Sequence, residues 1–260
     1  GGPDTYYSLR FSSSRPKTPH AHDDAAAMTL YSKGVEWIGD PGPYRYENGS
    51  SLRWFMKSRT AHSSFTVTNV ARQLSSGVRK LTAKSDWQLG GNDTTCLADN
   101  TWRGVSVTRC AAYVRSVDAM IVTDYVRAQK IAGPKKVRKH SPTRFLNQRW
   151  QIPPGIGAQN VNDVMTLMAG DKRLDIIKAG AGGWDVRTAR SGSSVGWFTG
   201  AWGQKLPGAV LSRSVPLSVK GGDQVLVTVF VPRVDGESVP VVIDANGVTI
   251  TRAGMTITTP

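Results

Sequence analysis

The strongest constraint on the fold is a succession of short segments in which apolar and polar residues alternate with a period of two. Typical segments are SSFTVTN, GVSVTRCAAYVRS, DAMIVTDYVRA and QVLVTVFVP, which are rich in Val, Ile and Thr. Turn-forming residues separate them, and the chain contains 27 Gly and 14 Pro in 260 residues. Alternation interrupted by frequent turns is typical of antiparallel sheets. The sequence therefore predicts an all-β fold, an antiparallel β-sandwich of two stacked sheets.

Helical periodicity is nearly absent, and only one weak helix is predicted, over residues 69–81. A chain of this length suffices for one large β domain with a real core. A change in composition near residues 204–222 predicts a sandwich over residues 1–205 and a strand-rich section over residues 206–260. That section is either a smaller separate unit or part of the same sandwich.

The charge of the chain points to a polyanionic partner. Its net charge is +14, from 33 Lys and Arg against 19 Asp and Glu, which favours nucleic acid, anionic lipid or acidic polysaccharide. The densest basic run, residues 133–140, is either a solvated loop or a segment that steers substrate. Nucleic acid is the least favoured partner, because no aromatic RNA-binding motif, zinc-finger spacing or basic helix accompanies the charge. No apolar run approaches the roughly 20 residues of a membrane span.

Two cysteines bear on the cellular compartment. Cys96 and Cys110 lie in two strand-like segments joined by the turn-like DNTWRG. A hairpin would bring them within disulfide range, although two buried free thiols fit the sequence as well. The chain opens with GGPDTYYSLRF, without a secretory signal peptide, as a mature, processed or truncated product would. That start says little about location, but the cysteine pair together with the basic charge gives the expectation of a secreted, periplasmic or cell-surface protein.

Three of the four histidines lie close to strand ends. His20 and His22 are two positions apart in TPHAHDDAAAM, so an extended chain would direct both to one face. Asp40 ends the segment VEWIGD before the turn PGP, and His62 directly precedes the strand SSFTV. Two imidazoles and one carboxylate from separate strand ends form a common zinc set. Alternatively, the histidines are ordinary polar residues and Asp40 caps a turn.

The order of these elements resembles the heparinase II/III-like family of polysaccharide lyases. In that family an HxHxD stretch precedes a strand ending in DPG, tyrosines follow, and an Ala-His-Asn segment opens the next strand. The resemblance covers residues 18–67, with a weaker echo in the arginine-bearing strands before residue 128. It implies that His22, Asp40 and His62 bind a structural Zn²⁺ and that His20 faces substrate near the carboxylate of a uronic acid.

The same resemblance suggests roles for five further residues. Asp24 matches the acidic position of HxHxD and is expected to orient a ligand imidazole from the second coordination sphere. Tyr44 and Tyr46 lie where some members carry a substrate-contacting or catalytic phenol, although packing within the turn is the alternative. Arg53 and Arg59 flank the site and are expected to bind carboxylate or sulfate, with plain solvent exposure as the alternative.

Two positions depart from the family pattern. Ser63 stands where the family has Asn, and Gln151 stands where it commonly has His, which puts the role of that histidine in doubt. The family's N-terminal α/α toroid, which carries the other catalytic groups, is absent from these 260 residues. The resemblance therefore implies the C-terminal domain of a lyase that cleaves an acidic, uronate-containing glycan by β-elimination and has little activity alone. The alternative is a non-catalytic module that binds acidic glycan and in which zinc only stabilises the fold.

Overall fold

A computed structural model describes residues 4–10, 20–47, 49–71, 82–87, 93–129, 143–218 and 222–259, with residues 82–87 described by their backbone alone. The predicted basic run at 133–140 lies outside these ranges. Most of the predicted helix at 69–81 also lies outside these ranges. Its residues 69–71 are described and are not helical.

The described chain is built almost entirely of strands. In order, it forms β1 (Tyr6–Leu9), β2 (Met28–Ser32), β3 (Val35–Ile38), α1 (Ser51–Met56), β4 (Phe65–Thr68), β5 (Thr82–Trp87), β6 (Asp93–Trp102), β7 (Val105–Val114), β8 (Ala119–Ala128), β9 (Arg144–Ile152), β10 (Gly157–Val161), β11 (Val164–Ala169), β12 (Lys172–Ala179), β13 (Asp185–Thr188), β14 (Trp197–Thr199), β15 (Lys205–Pro207), β16 (Ala209–Leu217), β17 (Gln224–Val234), β18 (Val241–Asp244), β19 (Gly247–Arg252) and β20 (Met255–Thr259). Single 3₁₀ turns occur at Arg59–Ala61 and Arg115–Val117.

Two sheets form the body of the molecule. The larger has eight strands in the order β10-β11-β12-β17-β8-β7-β6-β5, and the smaller has four in the order β13-β16-β9-β4. Neighbouring strands in both sheets run antiparallel. The predicted antiparallel sandwich is thereby confirmed.

The two sheets face each other across a continuous apolar core. In β9 the even-numbered residues point inward, and Trp150 packs edge to face against Phe230 of β17, with ring centroids 5.0 Å apart. Both side chains are fully buried. Burying an apolar side chain such as that of Phe230 contributes roughly 1.5–3 kcal/mol to folding. The inward apolar residues of the alternating pattern therefore hold the two sheets together.

A small sheet of β1, β2 and β3 closes one side of this core. Met28, Leu30, Trp37 and Ile38 are buried in the same cluster as Trp150. Because β2 and β3 form an antiparallel hairpin, the chain before β2 and the chain after β3 emerge at the same end. The segments that carry His22 and Asp40 are therefore neighbours.

The sheets do not divide the chain at residue 205. β16 is central in the four-stranded sheet and β17 is central in the eight-stranded sheet, so residues 209–217 and 224–234 belong to the sandwich. In the described chain after β17, the strands β18, β19 and β20 form a sheet of their own. Val248 and Ile250 of that sheet pack with Val229 and Val231 of β17 on the outer side of the larger sheet. The change in composition near residues 204–222 therefore does not coincide with a border of the sandwich.

The two cysteines form a disulfide. Cys96 of β6 and Cys110 of β7 are directly opposite in the strand register, with their Cα atoms 4.0 Å apart. Of the alternatives left open by the sequence, the structure contains the bridged one. Within the described ranges, no helix is long and apolar enough to cross a membrane.

Candidate metal centre

Three chain segments converge beside β9. His22 lies in the loop before β2, Asp40 follows β3, and His62 lies between the 3₁₀ turn Arg59–Ala61 and β4. Ser63 joins these segments, because its hydroxyl donates to the carbonyl of Gly39 (3.1 Å) and accepts from the backbone N–H of Gln151 (2.9 Å). Its carbonyl also accepts from the N–H of Met28 (3.0 Å). Ser63 and Gln151, the two departures from the family pattern, thus connect the segments through hydrogen bonds.

The three predicted ligands are brought together. His22, Asp40 and His62 each offer a ligand atom, and these atoms lie within 4.8 Å of one another. Nδ1 of His62 is 2.8 Å from Oδ2 of Asp40, and the rings of His22 and His62 have centroids 5.4 Å apart. His62 is fully buried, and its Nε2 has no hydrogen-bond partner among the described residues. A buried imidazole nitrogen without a partner fits a role as a metal ligand.

The protonation states also suit a metal ion. Burial, together with the neighbouring His62, lowers the pKa of His22, which favours the neutral imidazole. For Asp40, desolvation raises the pKa, but the hydrogen bonds to His62 and to the N–H of Gly42 contribute to a net lowering of that pKa. The N–H of Gly42 donates to Oδ1 of Asp40 at 2.9 Å and supports the carboxylate form. Neutral imidazole and ionised carboxylate are the forms that coordinate metals.

A buried ion pair lies beneath the ligand segments. Arg109 of β7 donates to Asp124 of β8 through Nε (2.7 Å) and Nη2 (2.8 Å), and both side chains are completely buried. Nη1 of Arg109 donates to the carbonyl of Ala26 (2.9 Å) and to that of Ser63 (3.4 Å). The guanidinium therefore ties the loop after His22 and the residue after His62 to the sheet, a contact that the sequence did not reveal.

His20 lies outside the ligand cluster on an exposed surface. Its ring stands edge to face against Tyr46, with centroids 4.6 Å apart, and Tyr46 contacts Trp202 at 4.8 Å. Nε1 of Trp202 donates to Glu47 (3.1 Å), and the indole is 56% exposed. We refer to His20, Tyr46 and Trp202 as the aromatic row. Trp202 was missed by sequence reasoning, because its loop is far away in the chain.

Tyr44 has a different environment from Tyr46. It adopts a positive φ of 64°, and its N–H donates to the hydroxyl of Thr199 (2.8 Å). Its carbonyl accepts from the N–H of Gly203 (2.9 Å). The backbone of Tyr44 thus anchors the loop that carries Trp202, and the role of its phenol stays a prediction.

The two candidate substrate arginines are both buried. Arg53 is 2% exposed, its Nε donates to the carbonyl of Arg45 (2.9 Å), and its Nη1 has no partner in the described part of the chain. Arg59 is 3% exposed and pairs with Asp23 (3.0 Å) and Asp99. The expectation that Arg59 binds substrate does not agree with this placement, because two carboxylates already occupy its guanidinium inside the fold.

Asp24 is largely buried and forms an ion pair with Arg10, 3.1 Å away. Its charge acts on His22 in the direction that raises the pKa of the imidazole, against the larger effects of burial and His62. The carboxylate therefore influences His22 electrostatically, and its predicted role in orienting the ring stays a prediction.

Comparisons with known proteins agree with this architecture. Residues 4–228 match the family model described as heparinase II/III-like, C-terminal, and no curated protein matches the sequence. Among solved structures, the chain is similar to heparan sulfate lyase HepC from Pedobacter heparinus, with a TM-score of 0.71 and 16% identity over 92% of this chain. It is also similar to the BT4657 gene product, a heparinase III (TM-score 0.69, 13% identity, 92% of this chain), and to another heparinase III (0.67, 14%, 92%).

The chain spans 37%, 36% and 35% of the lengths of these three solved chains. At such low identity the structural likeness establishes the fold alone. The family match, however, extends over most of the 260 residues. The chain belongs to the heparinase II/III-like family and corresponds to its C-terminal domain.

Proposed function

We propose that this chain is the zinc-binding C-terminal domain of a polysaccharide lyase that cleaves an acidic, uronate-containing glycan by β-elimination. The observation that supports the proposal is that one loop contributes a residue to each of two sites. His22 joins Asp40 and His62 in a compact ligand set, while His20, two residues earlier, lies in the exposed aromatic row. Family membership supplies the reaction class.

Zinc is the proposed ion because of the donor set. Two imidazole nitrogens and one carboxylate oxygen match the ligands that Zn²⁺ commonly takes, with a fourth position left for water or another ligand. Bound there, the ion would cross-link the three loop segments. Its proposed contribution is structural, since it would hold the loop that carries His20 in position.

The proposed reaction requires three tasks. A base removes the proton from C5 of the uronate, the bond from C4 to the glycosidic oxygen breaks as the C4–C5 double bond forms, and an acid protonates the departing oxygen. Hydrogen bonds to the uronate carboxylate stabilise the negative charge that develops. We assign the carboxylate contact to His20, whose ring is exposed and can donate an N–H.

The aromatic row supports binding of a sugar ring. Tyr46 is 42% exposed and Trp202 is 56% exposed, and exposed aromatic rings at a recognised site commonly mark a binding surface. Tyr46 is the proposed substrate-contacting phenol, whereas Tyr44 shapes the loop. Arg53, whose Nη1 has no hydrogen-bond partner among the described residues, contributes positive charge beneath this surface.

The remaining catalytic groups are proposed to come from an N-terminal α/α toroid, in the same protein or in a companion chain, because this chain covers about a third of its solved relatives. A secreted, periplasmic or cell-surface location is proposed with it. Disulfides such as Cys96–Cys110 persist in oxidising compartments.

A non-catalytic, glycan-binding module is the second candidate. It is favoured by the fact that all three metal ligands lie within residues 22–62, so that zinc could stabilise the fold without any catalytic role. The net charge of +14 would then serve adhesion to an acidic glycan.

An elimination assay tests the proposed function. The protein that includes its helical region is expected to generate unsaturated uronate ends, detected by their ultraviolet absorbance, from at least one acidic glycan of a panel. The isolated chain is expected to produce at most about 1% of that rate, because it lacks the proposed base and acid. Absence of product with the longer protein on every glycan, or full activity of the isolated chain, would contradict the proposal.

A further inference from the structure

The outer face of the four-stranded sheet carries a polar cavity that the metal centre does not use. In β9 and β16 the inward residues are buried in the core, while Arg149, Gln151 and Ser212 point outward. The strand register places Arg149, Ser212 and Asp185 in one row across three strands, and Gln151, Val210 and Arg187 in the next row. Residues opposite each other in an antiparallel sheet share a face.

These two rows line a cavity of about 280 Å³. Phe55 of α1 and Thr60 of the 3₁₀ turn form part of its wall, together with Gly183 and Gly196. This volume lies near the lower end of the range for small-molecule sites, roughly 300–1,000 Å³. The cavity is thus large enough for a single sugar ring or a smaller group.

The cavity carries a positive charge that the protein does not neutralise. Arg187 pairs with Asp185, the carboxylate on the cavity wall, at 2.7 Å. Arg149 donates from Nη1 to the hydroxyl of Thr66 at 2.7 Å, but no carboxylate in the described ranges forms an ion pair with it. Burial, and then the charge of Arg187, lowers the pKa of Arg149.

A partly buried guanidinium that lacks an anionic partner favours the binding of an oxyanion. A guanidinium also presents two parallel N–H groups, which match the two oxygens of a carboxylate or a sulfate. Uncharged groups on the same walls, among them Ser212 and Gln151, can donate hydrogen bonds to the hydroxyls of a sugar.

We propose that this cavity is a second glycan subsite, in which Arg149 binds the carboxylate or sulfate group of an acidic sugar residue. The specificity for an oxyanion follows from the residues of the cavity. The inference that this oxyanion belongs to a sugar rests on the proposed function. Thr60 of the cavity wall lies two residues before His62 of the metal centre, so one short segment of the chain contributes to both.

Three variants test the subsite. Arg149→Gln removes the charge, and Gly183→Leu fills the cavity while keeping Arg149. An added Cβ at Gly183 meets no atom within 4 Å, and the backbone there is not left-handed, so this second variant should fold even if the first does not. Arg127→Gln is the control, because it removes the same charge from an exposed ion pair with Asp223 on the other sheet.

The measurement is a titration of each protein in 0.15 M NaCl with a glucuronate-containing hexasaccharide, in sulfated and unsulfated forms, followed by calorimetry and by backbone amide shifts. Sodium sulfate and sodium glucuronate are titrated separately to tell sulfate from carboxylate recognition. We expect Arg149→Gln and Gly183→Leu to weaken hexasaccharide binding at least tenfold and Arg127→Gln less than twofold. Amide shifts should concentrate at residues 183, 196 and 212.

Equal losses in Arg149→Gln and Arg127→Gln, or unchanged binding in Gly183→Leu, would overturn the subsite, since binding would then depend on overall charge. Zinc content is measured on the same samples. If the binding results contradict the subsite while the protein holds one zinc per chain, only the subsite is rejected. If the protein holds no zinc, the proposed function is contradicted, and the binding results still test the subsite.

Discussion

Replacing His20 by alanine in the proposed longer protein, which includes the N-terminal helical domain, is expected to lower the rate of glycan elimination by about 10²- to 10³-fold, the usual loss when one donor that stabilises developing negative charge is removed. The reason is the position of His20 in the aromatic row, where its ring packs on Tyr46 at the exposed surface. The measurement is kcat and KM from the growth of unsaturated uronate absorbance. Most of the loss should appear in kcat, since the developing charge is greatest in the transition state.

Zinc content is the control for this variant. His20 is not part of the ligand cluster, so His20→Ala should keep the same zinc stoichiometry and nearly the same melting temperature as the unchanged protein. Activity within twofold of the unchanged protein, with zinc retained, would contradict the catalytic role of His20 and favour the non-catalytic glycan-binding module.

Replacing Asp124 by alanine is expected to lower the free energy of unfolding by about 3–5 kcal/mol, because it leaves a completely buried guanidinium without its carboxylate. Arg109 and Asp124 both have 0% exposed side chains. Gln148 also donates to Oδ2 of Asp124 (2.7 Å) and would lose that acceptor. Urea denaturation of the two proteins, followed by circular dichroism, measures the difference.

Asp223→Ala is the matched control for this change. Asp223 pairs with Arg127 at 2.6 Å, but both side chains are more than half exposed. Exposed pairs contribute about 0–1 kcal/mol. A loss for Asp124→Ala no larger than that for Asp223→Ala would contradict the account of the buried pair. Zinc affinity should also fall in Asp124→Ala, because Arg109 holds the backbone at Ala26 and Ser63.

The sandwich and the clustering of His22, Asp40 and His62 could be predicted because both depend on local patterns. Period-two alternation identifies strands without knowledge of their partners. His22, Asp40 and His62 lie at the ends of successive elements within residues 22–62, and a hairpin places neighbouring strand ends together. Short chain separations made this part of the site accessible to sequence reasoning, and the resemblance to a family then distinguished His20 from His22.

The parts that could not be predicted depend on contacts between distant segments. Trp202 meets Tyr46 across more than 150 residues, and Arg59 is held inside the fold by Asp99, 40 residues away. The sequence left open whether residues 206–260 form a smaller unit or part of the same sandwich, and it did not reveal that β16 and β17 lie inside the two sheets that the earlier strands form. The period of a strand indicates which residues face inward, but it does not indicate which strand lies beside it.

Zinc stoichiometry tests whether His22, Asp40 and His62 form a metal centre of which His20 is not a part. The protein, purified without chelators, is analysed for metals beside His62→Ala and His20→Ala, and zinc is then restored to chelator-treated samples during thermal unfolding. We expect one zinc per chain in the unchanged protein and in His20→Ala, with a higher melting temperature when zinc is restored, and no zinc in His62→Ala. An unchanged protein that binds no zinc and shows no thermal shift, or a His62→Ala variant that retains one zinc per chain, would contradict this expectation.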